Sequence, residues 1–222
     1  MSGSMVSRLV LKDLYLTRWM VAGSTVAGAV AIAMMPFGPI LAYVGGVSLI
    51  CTIVILNITV VMSTGVPERK DKVLLFVLSL PVSAAGQTLA KVLATATAFV
   101  VPWLLLTAAT AVVIDVSAMP NGTLPFLITV LVYLLAYHFV LLGVALVSDS
   151  MGWPATVITV GNISVNFLIP YLLAQPSIQA HRHGPSAIWT ADIVTFIAVE
   201  LVAGLVALGL AVAWQMRRQD AI

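Results

Sequence analysis

The stretch ILAYVGGVSLICTIVILNITVVMS, Ile40 to Ser63, runs for 24 residues without a charged side chain. A helix needs about 20 apolar residues to cross the hydrocarbon core of a bilayer. A sheet edge in lipid would leave backbone groups unpaired at several kcal/mol each, so helix is the expected conformation. Five more segments of the same character lie around it: Trp19–Met35, Leu89–Ile114, Pro125–Val147, Pro154–Leu173 and Trp189–Trp214. Punctuation falls between them. Pro36 and Pro39 bracket the first hairpin, Asn121-Gly122 marks a turn, and Pro154 stands at a helix start, where its missing N–H costs nothing.

The whole composition agrees. Of 222 residues, 61% are hydrophobic and 8% charged, and the mean hydropathy is +1.13. A soluble domain has about a quarter of its residues charged. Too little polar surface exists here to make a water-exposed shell, so the expectation is an all-α polytopic membrane protein with six transmembrane helices in a single domain. The net charge of +2 gives no reason to expect nucleic acid as a partner; membrane lipid is the partner expected. Cys51, the single cysteine, lies in an apolar run, which excludes an intrachain disulfide and a Cys-pair metal site.

Sidedness follows from Lys and Arg. With the N-terminus in the cytosol, Arg8, Lys12, Arg18, Arg69, Lys70, Lys72, Lys91, Arg217 and Arg218 fall on the cytosolic side, and Arg182 alone falls outside. Both termini are therefore expected to be cytosolic. The segment MVSRLVLKDLYLTR, residues 5–18, reads as an interfacial helix preceding the first span. Ala31-Ile32-Ala33 has the form of a signal-peptidase site, but the long preceding segment contains Asp13 and a second span follows directly. An uncleaved first helix is expected.

Immediately after the opening stretch comes ERKDKVLLFVLSLPVSAAGQTLAK, Glu68 to Lys91, which begins with five consecutive charges. Pro67 and Glu68 make a favourable first helical turn, and Pro81 disfavours helix at Leu80, so a helix over 67–79 is expected. Its charged half would stay in water while its apolar half sinks into a groove or the membrane edge. Topology needs only cations. The mixture Glu68, Arg69, Lys70, Asp71, Lys72 is also suited to docking by complementary charge.

This stretch resembles the loop between the second and third spans of type-2 ATP-binding-cassette (ABC) exporter permeases. Glu68-Arg69 matches the pair that opens the cytosolic coupling helix there, Leu80-Pro81-Val82-Ser83 the turn, and Lys91 the start of the third span. The six-span layout and RLVLKDLYLTR ahead of the first helix match as well, whereas Ala84-Ala85 departs from the basic or bulky residue of many relatives. The resemblance implies a coupling helix fitting a cleft in a separate ATPase subunit, with a second permease copy or a sister permease completing the path. It implies residence in the plasma membrane, as in the bacterial inner membrane. The substrate expected is a hydrophobic peptide, a lipid-like molecule or a small toxic compound. ATP and magnesium would bind the partner, because none of Lys12, Lys70, Lys72 or Lys91 follows a glycine as a phosphate-binding loop requires. The chain itself is expected to be no enzyme and to bind no cofactor.

Polar residues within spans are costly and therefore informative. His138, Asn162, Asn166 and Glu200 fall at similar depth and, with Asn57 in the second span as a further candidate, read as a midplane polar layer, lining a path or bonding helix to helix. Gly23, Ala27 and Ala31, spaced by four, suit a close helix or dimer contact, and Ala203, Gly204, Ala207 and Ala211 below Glu200 form a similar row. His181 and His183 flank Arg182 in the outer segment without the third ligand of a metal site, so no metal is expected. Two rival readings remain at this stage. One is a proton-coupled secondary transporter using Glu200 and His138; the other is a non-transporting membrane scaffold.

Overall fold

A computed structural model describes residues 3–65, 84–148 and 150–220. The segment 67–79, with Glu68, Arg69, Lys70, Asp71 and Lys72, lies outside them. Six long helices follow in order: α1 (Gly3–Met34), α2 (Pro39–Gly65), α3 (Ala84–Val116), α4 (Leu124–Val147), α5 (Gly152–Ala174) and α6 (Ala191–Asp220). All six are long and apolar enough to cross a membrane, and no strand occurs among the described residues. The chain is a multi-pass membrane protein whose described residues are almost entirely helical.

Residues 5–18 do not form a separate surface helix. They continue unbroken into the first span as part of the 32-residue α1. The physical reason is local: no Gly or Pro occurs between Ser4 and Ala22, so nothing stops helix propagation. Arg18 lays its guanidinium 3.6 Å from the Tyr15 ring centroid, one turn earlier on this helix.

The α1–α2 connection is a 3-10 turn over Met35–Phe37 followed by Gly38 at φ 128°, a conformation that favours glycine. At the opposite pair of spans, a turn over Asn121–Thr123 precedes α4. Gly122 donates its N–H to the carbonyl of Gly184, 3.1 Å away, tying this turn to the loop between α5 and α6. A side chain at Gly122 would collide with the His181 carbonyl. Within that loop, Pro176–Gln179 forms one helical turn whose Ile178 packs against Val130, Leu168, Leu172 and Ile193.

Packing falls into two groups. α1 packs on α2 and α3, α4 packs on α5 and α6, and α4 joins the groups by lying against α2 and α3. α4 is the enclosed helix, buried along nearly its whole length, and is apolar around its circumference as such a position demands. Exposed apolar side chains such as Trp19, Ile40, Tyr43, Phe167 and Leu210 line the outside, where lipid is the solvent. Thr64 meets Thr95 across α2 and α3, Tyr133 meets Ser164 across α4 and α5, and Gly204 meets Ala136 across α6 and α4. A second contact in each pair fixes direction: Tyr137 with Ile158 sets α5 against α4, Trp103 with Leu131 and Phe99 with His138 set α3 against α4, and Ala211 with Gly143 makes α6 run with α4, so consecutive helices alternate. The starts of α1, α3 and α5 and the ends of α2, α4 and α6 consequently share one end of the bundle.

Candidate functional site

The polar residues of the spans are distributed around α4. His138 is fully buried, and its Nδ1 lies 2.8 Å from Oδ1 of Asn57, itself 1% exposed. An amide oxygen only accepts, so Nδ1–H donates in this arrangement. The imidazole is stacked on Phe99 of α3, with centroids 4.0 Å apart and planes 9° from parallel. One histidine thus touches α2 by a hydrogen bond and α3 by its ring. Asn57 Nδ2 and His138 Nε2 are buried with no protein partner, and leaving a buried polar group unpaired costs about 1–3 kcal/mol.

One turn before Phe99, Thr95 makes the second polar tie to α2. Its Oγ1 lies 2.8 Å from Thr64 Oγ1, and Thr64 Oγ1 is also 2.8 Å from the Val60 carbonyl. Because Thr64 gives its single hydroxyl hydrogen to Val60, Thr95 is the donor between the two hydroxyls. The second half of α2 is correspondingly well held: Ile53, Leu56, Val60 and Val61 are completely buried.

Glu200 occupies a different side of α4. It lies one turn before Gly204, where an added Cβ would sit 2.9 Å from Ala136 Cα, so α6 and α4 are nearly in backbone contact there. Ala207 and Ala211 continue this seam against Gly143. Gly204, Ala207 and Ala211 of the expected row therefore have α4 as their neighbour, whereas Ala203 is exposed. Both carboxylate oxygens of Glu200 are buried without a hydrogen-bond partner. His138 bonds Asn57 and not Glu200, since residues 136 and 138 point to different faces of one helix.

Asn162 and Asn166 lie on a third side. Asn162 is half-buried and Asn166 exposed, and Asn166 Nδ2 donates to the Asn162 carbonyl at 2.8 Å. Thr156 and Thr159, on the same exposed side of α5, likewise return their hydroxyls to their own helix. The five residues expected to form one polar layer are instead an internal pair (Asn57 and His138), a seam residue (Glu200) and a pair on the outer side of α5 (Asn162 and Asn166).

On α1, Ala31 is buried and its carbonyl is the group a Cβ on Gly45 would strike at 2.5 Å. Gly23 has nothing within 4 Å and Ala27 is exposed, so these two face away from the bundle. The tight contact with α3 falls at Gly28, facing Leu106. Among the described residues no group of three or more His, Cys, Asp or Glu gathers in a way that could hold a metal. Sequence reasoning passed over Thr64, Thr95 and Phe99. Their only signal is spacing, Asn57 with Thr64 seven residues apart and Thr95 with Phe99 four apart, each pair on one helix face. No protein-family model, curated protein or solved structure matches the chain.

Proposed function

We propose that this chain is the transmembrane subunit of an ATP-driven exporter of the type-2 ATP-binding-cassette class, acting with a separate ATPase subunit. The observation that carries the reading is the mixed-charge stretch Glu68–Lys72, which falls between the second and third of six spans in a chain only 8% charged. In sequence, nine of the ten Lys and Arg residues fall before the first span, between the second and third or at the start of the third, or after the sixth, and this bias supports a cytosolic location for both termini. A helix over 67–79 then serves as the coupling helix, with Glu68, Arg69, Lys70, Asp71 and Lys72 as its docking face.

The mechanism assigned is mechanical. Closure of the ATPase on ATP pushes the docking face, and α2 and α3, which flank it in the chain, carry the displacement into the bundle. Support comes from the burial of the second half of α2, which makes a stiff element next to the charged stretch. The exposed amide of Asn166 on α5 supplies a reason for a second copy or a sister subunit, because an uncovered amide at membrane depth is unfavourable. A hydrophobic peptide, lipid-like molecule or small toxic compound is the substrate class proposed, and the bacterial inner membrane is the location.

The test is purification in mild detergent from the native cells, beside the charge-reversed variant Glu68→Lys, Lys72→Glu. The reading expects an ATPase with a phosphate-binding loop to accompany the wild type and to be lost with the variant. Recovery of the chain without such an ATPase, under conditions that preserve other membrane complexes, rejects it. A second reading, proton-coupled transport, is favoured by one observation, the unpartnered carboxylate of Glu200. It expects transport without ATP that is abolished by Glu200→Gln.

A further inference from the structure

Among the described residues two side-chain polar ties join α2 to its neighbours, and they differ in one respect. In the Thr64–Thr95 tie the hydroxyl hydrogens are both given to oxygens, one to Thr64 and one to the Val60 carbonyl. In the Asn57–His138 tie one amide nitrogen and one ring nitrogen are left over, both completely buried. A static internal bolt gains nothing from such leftovers, since apolar side chains of the same shape would serve as well or better.

Helix geometry points to a complementary acceptor on α3. Pro102 interrupts α3 from within and has no N–H to offer the carbonyl of Ala98, four residues earlier. Ala98 is buried and adjoins Phe99, the ring on which His138 stacks. The Thr64–Thr95 pair registers the antiparallel α2 and α3. Counting seven residues from it, backwards on α2 and forwards on α3, brings Asn57 level with Pro102. Helical carbonyls point towards the C-terminal end, so that of Ala98 is directed to this same level.

We propose that Asn57 is a two-position joint. In one position its Oδ1 accepts from His138 Nδ1, as in this structure; in the other its Nδ2 donates to the Ala98 carbonyl that Pro102 leaves without an in-helix donor. The change tilts α2 from α4 towards α3, with the saturated Thr64–Thr95 tie as the fixed point. Seven residues separate tie and joint, about 10 Å at 1.5 Å per residue, so the displacement grows towards the outer end of α2. Asn57 is a positioning residue in this account. That the tilt relays motion from residues 68–72 rests on the exporter reading; the joint itself does not.

The experiment uses the full chain in lipid nanodiscs with Cys51→Ala and spin labels at Tyr43→Cys on α2 and Leu124→Cys on α4, the outer ends of the two helices. Labelled chain is diluted with unlabelled chain so that only distances within one molecule are read. Wild type is expected to give two distances. Pro102→Ala restores a donor for Ala98 and should leave only the shorter distance, with an equal or higher thermal midpoint. His138→Phe keeps a ring against Phe99 but frees Asn57, and should leave only the longer. Opposite outcomes from the two variants separate the joint from a simple straightening of α3, which His138→Phe would not mirror. A single wild-type distance, or one distribution shared by all three proteins, overturns the proposal and identifies the pair as a static bolt whose spare valences are met by fixed waters. Since no ATPase enters the measurement, failure of the exporter reading leaves this result standing, and the reverse holds too.

Discussion

α4 and α5 are neighbours of 24 and 23 residues, and neither contains Asp, Glu, Lys or Arg. They nevertheless differ in where most of their polar groups go, although Thr129 of α4 bonds its own helix and Ser164 of α5 meets Tyr133. From α4, His138 reaches Asn57 on α2, while Tyr133 and Tyr137 reach Ser164 and the Ile158 carbonyl on α5. From α5, Thr156, Thr159 and Asn166 turn back to their own helix backbone. A polar side chain facing lipid has only its own helix to bond, whereas one on an enclosed helix can join two helices. Hydropathy does not separate these situations; the partner of each polar atom does.

The sharpest way to break this contrast is to add bulk where α4 is enclosed. Gly204→Leu would drive a side chain into Ala136 at a point where even a Cβ lies 2.9 Å from backbone. Because backbone cannot swing aside as a side chain can, the cost should reach or exceed the usual 1–3 kcal/mol of overpacking, about 3 kcal/mol. Gly209→Leu on the same helix, with nothing within 4 Å, should change stability by no more than about 0.5 kcal/mol. Thermal unfolding in detergent compares the two. Equal losses would mean that α6 is not seated on α4 by its small residues.

Removing the polar centre of α4 comes next. His138→Ala deletes a fully buried ring, opens a cavity beside Phe99 and leaves Asn57 without its partner. Cavity formation and a stranded amide together should cost about 2–4 kcal/mol. His138→Phe keeps the volume and the stacking and should recover a large part of that loss. If the two variants melt together, the hydrogen bond to Asn57, and not the packing, is what His138 supplies.

Most of the architecture was legible in the sequence because it depends on one strong signal. Runs such as Ile40–Ser63 leave a chain in lipid no alternative to helix, and the span count follows. Helix ends were less legible. Residues 5–18 read as a separate surface helix because Arg8, Lys12 and Arg18 suggest an interface, yet no residue there breaks α1. The candidate site was legible as a set of residue types but not as a place. Counting along the spans groups Asn57, His138, Asn162, Asn166 and Glu200 only coarsely, since Glu200 precedes by one turn the Gly204 that meets Ala136, on the far side of Ala136 from His138; which side of α4 each occupies depends on helix rotation, which apolar sequence on all sides does not encode. Thr64, Thr95 and Phe99 were missed for the same reason, being ordinary side chains until the helices are brought together.

The smallest expected effect tests the outward half of the contrast. Asn166→Leu removes an exposed amide whose protein contact is the Asn162 carbonyl of its own helix. Within a single chain the change should be nearly silent, at most about 0.5 kcal/mol, because no other helix loses a partner. Between chains the expectation differs. If a second copy covers this face of α5, each interhelical hydrogen bond lost there is worth about 0.6 kcal/mol, roughly three-fold in the association constant. Thermal unfolding and single-molecule photobleaching in dilute lipid vesicles read the two quantities separately. A silent melt with weaker self-association assigns the α5 amides to a subunit contact. A silent melt with unchanged association leaves them facing lipid, and the case for a second copy must then be made from Gly23 and Ala27, which also face outward from the bundle.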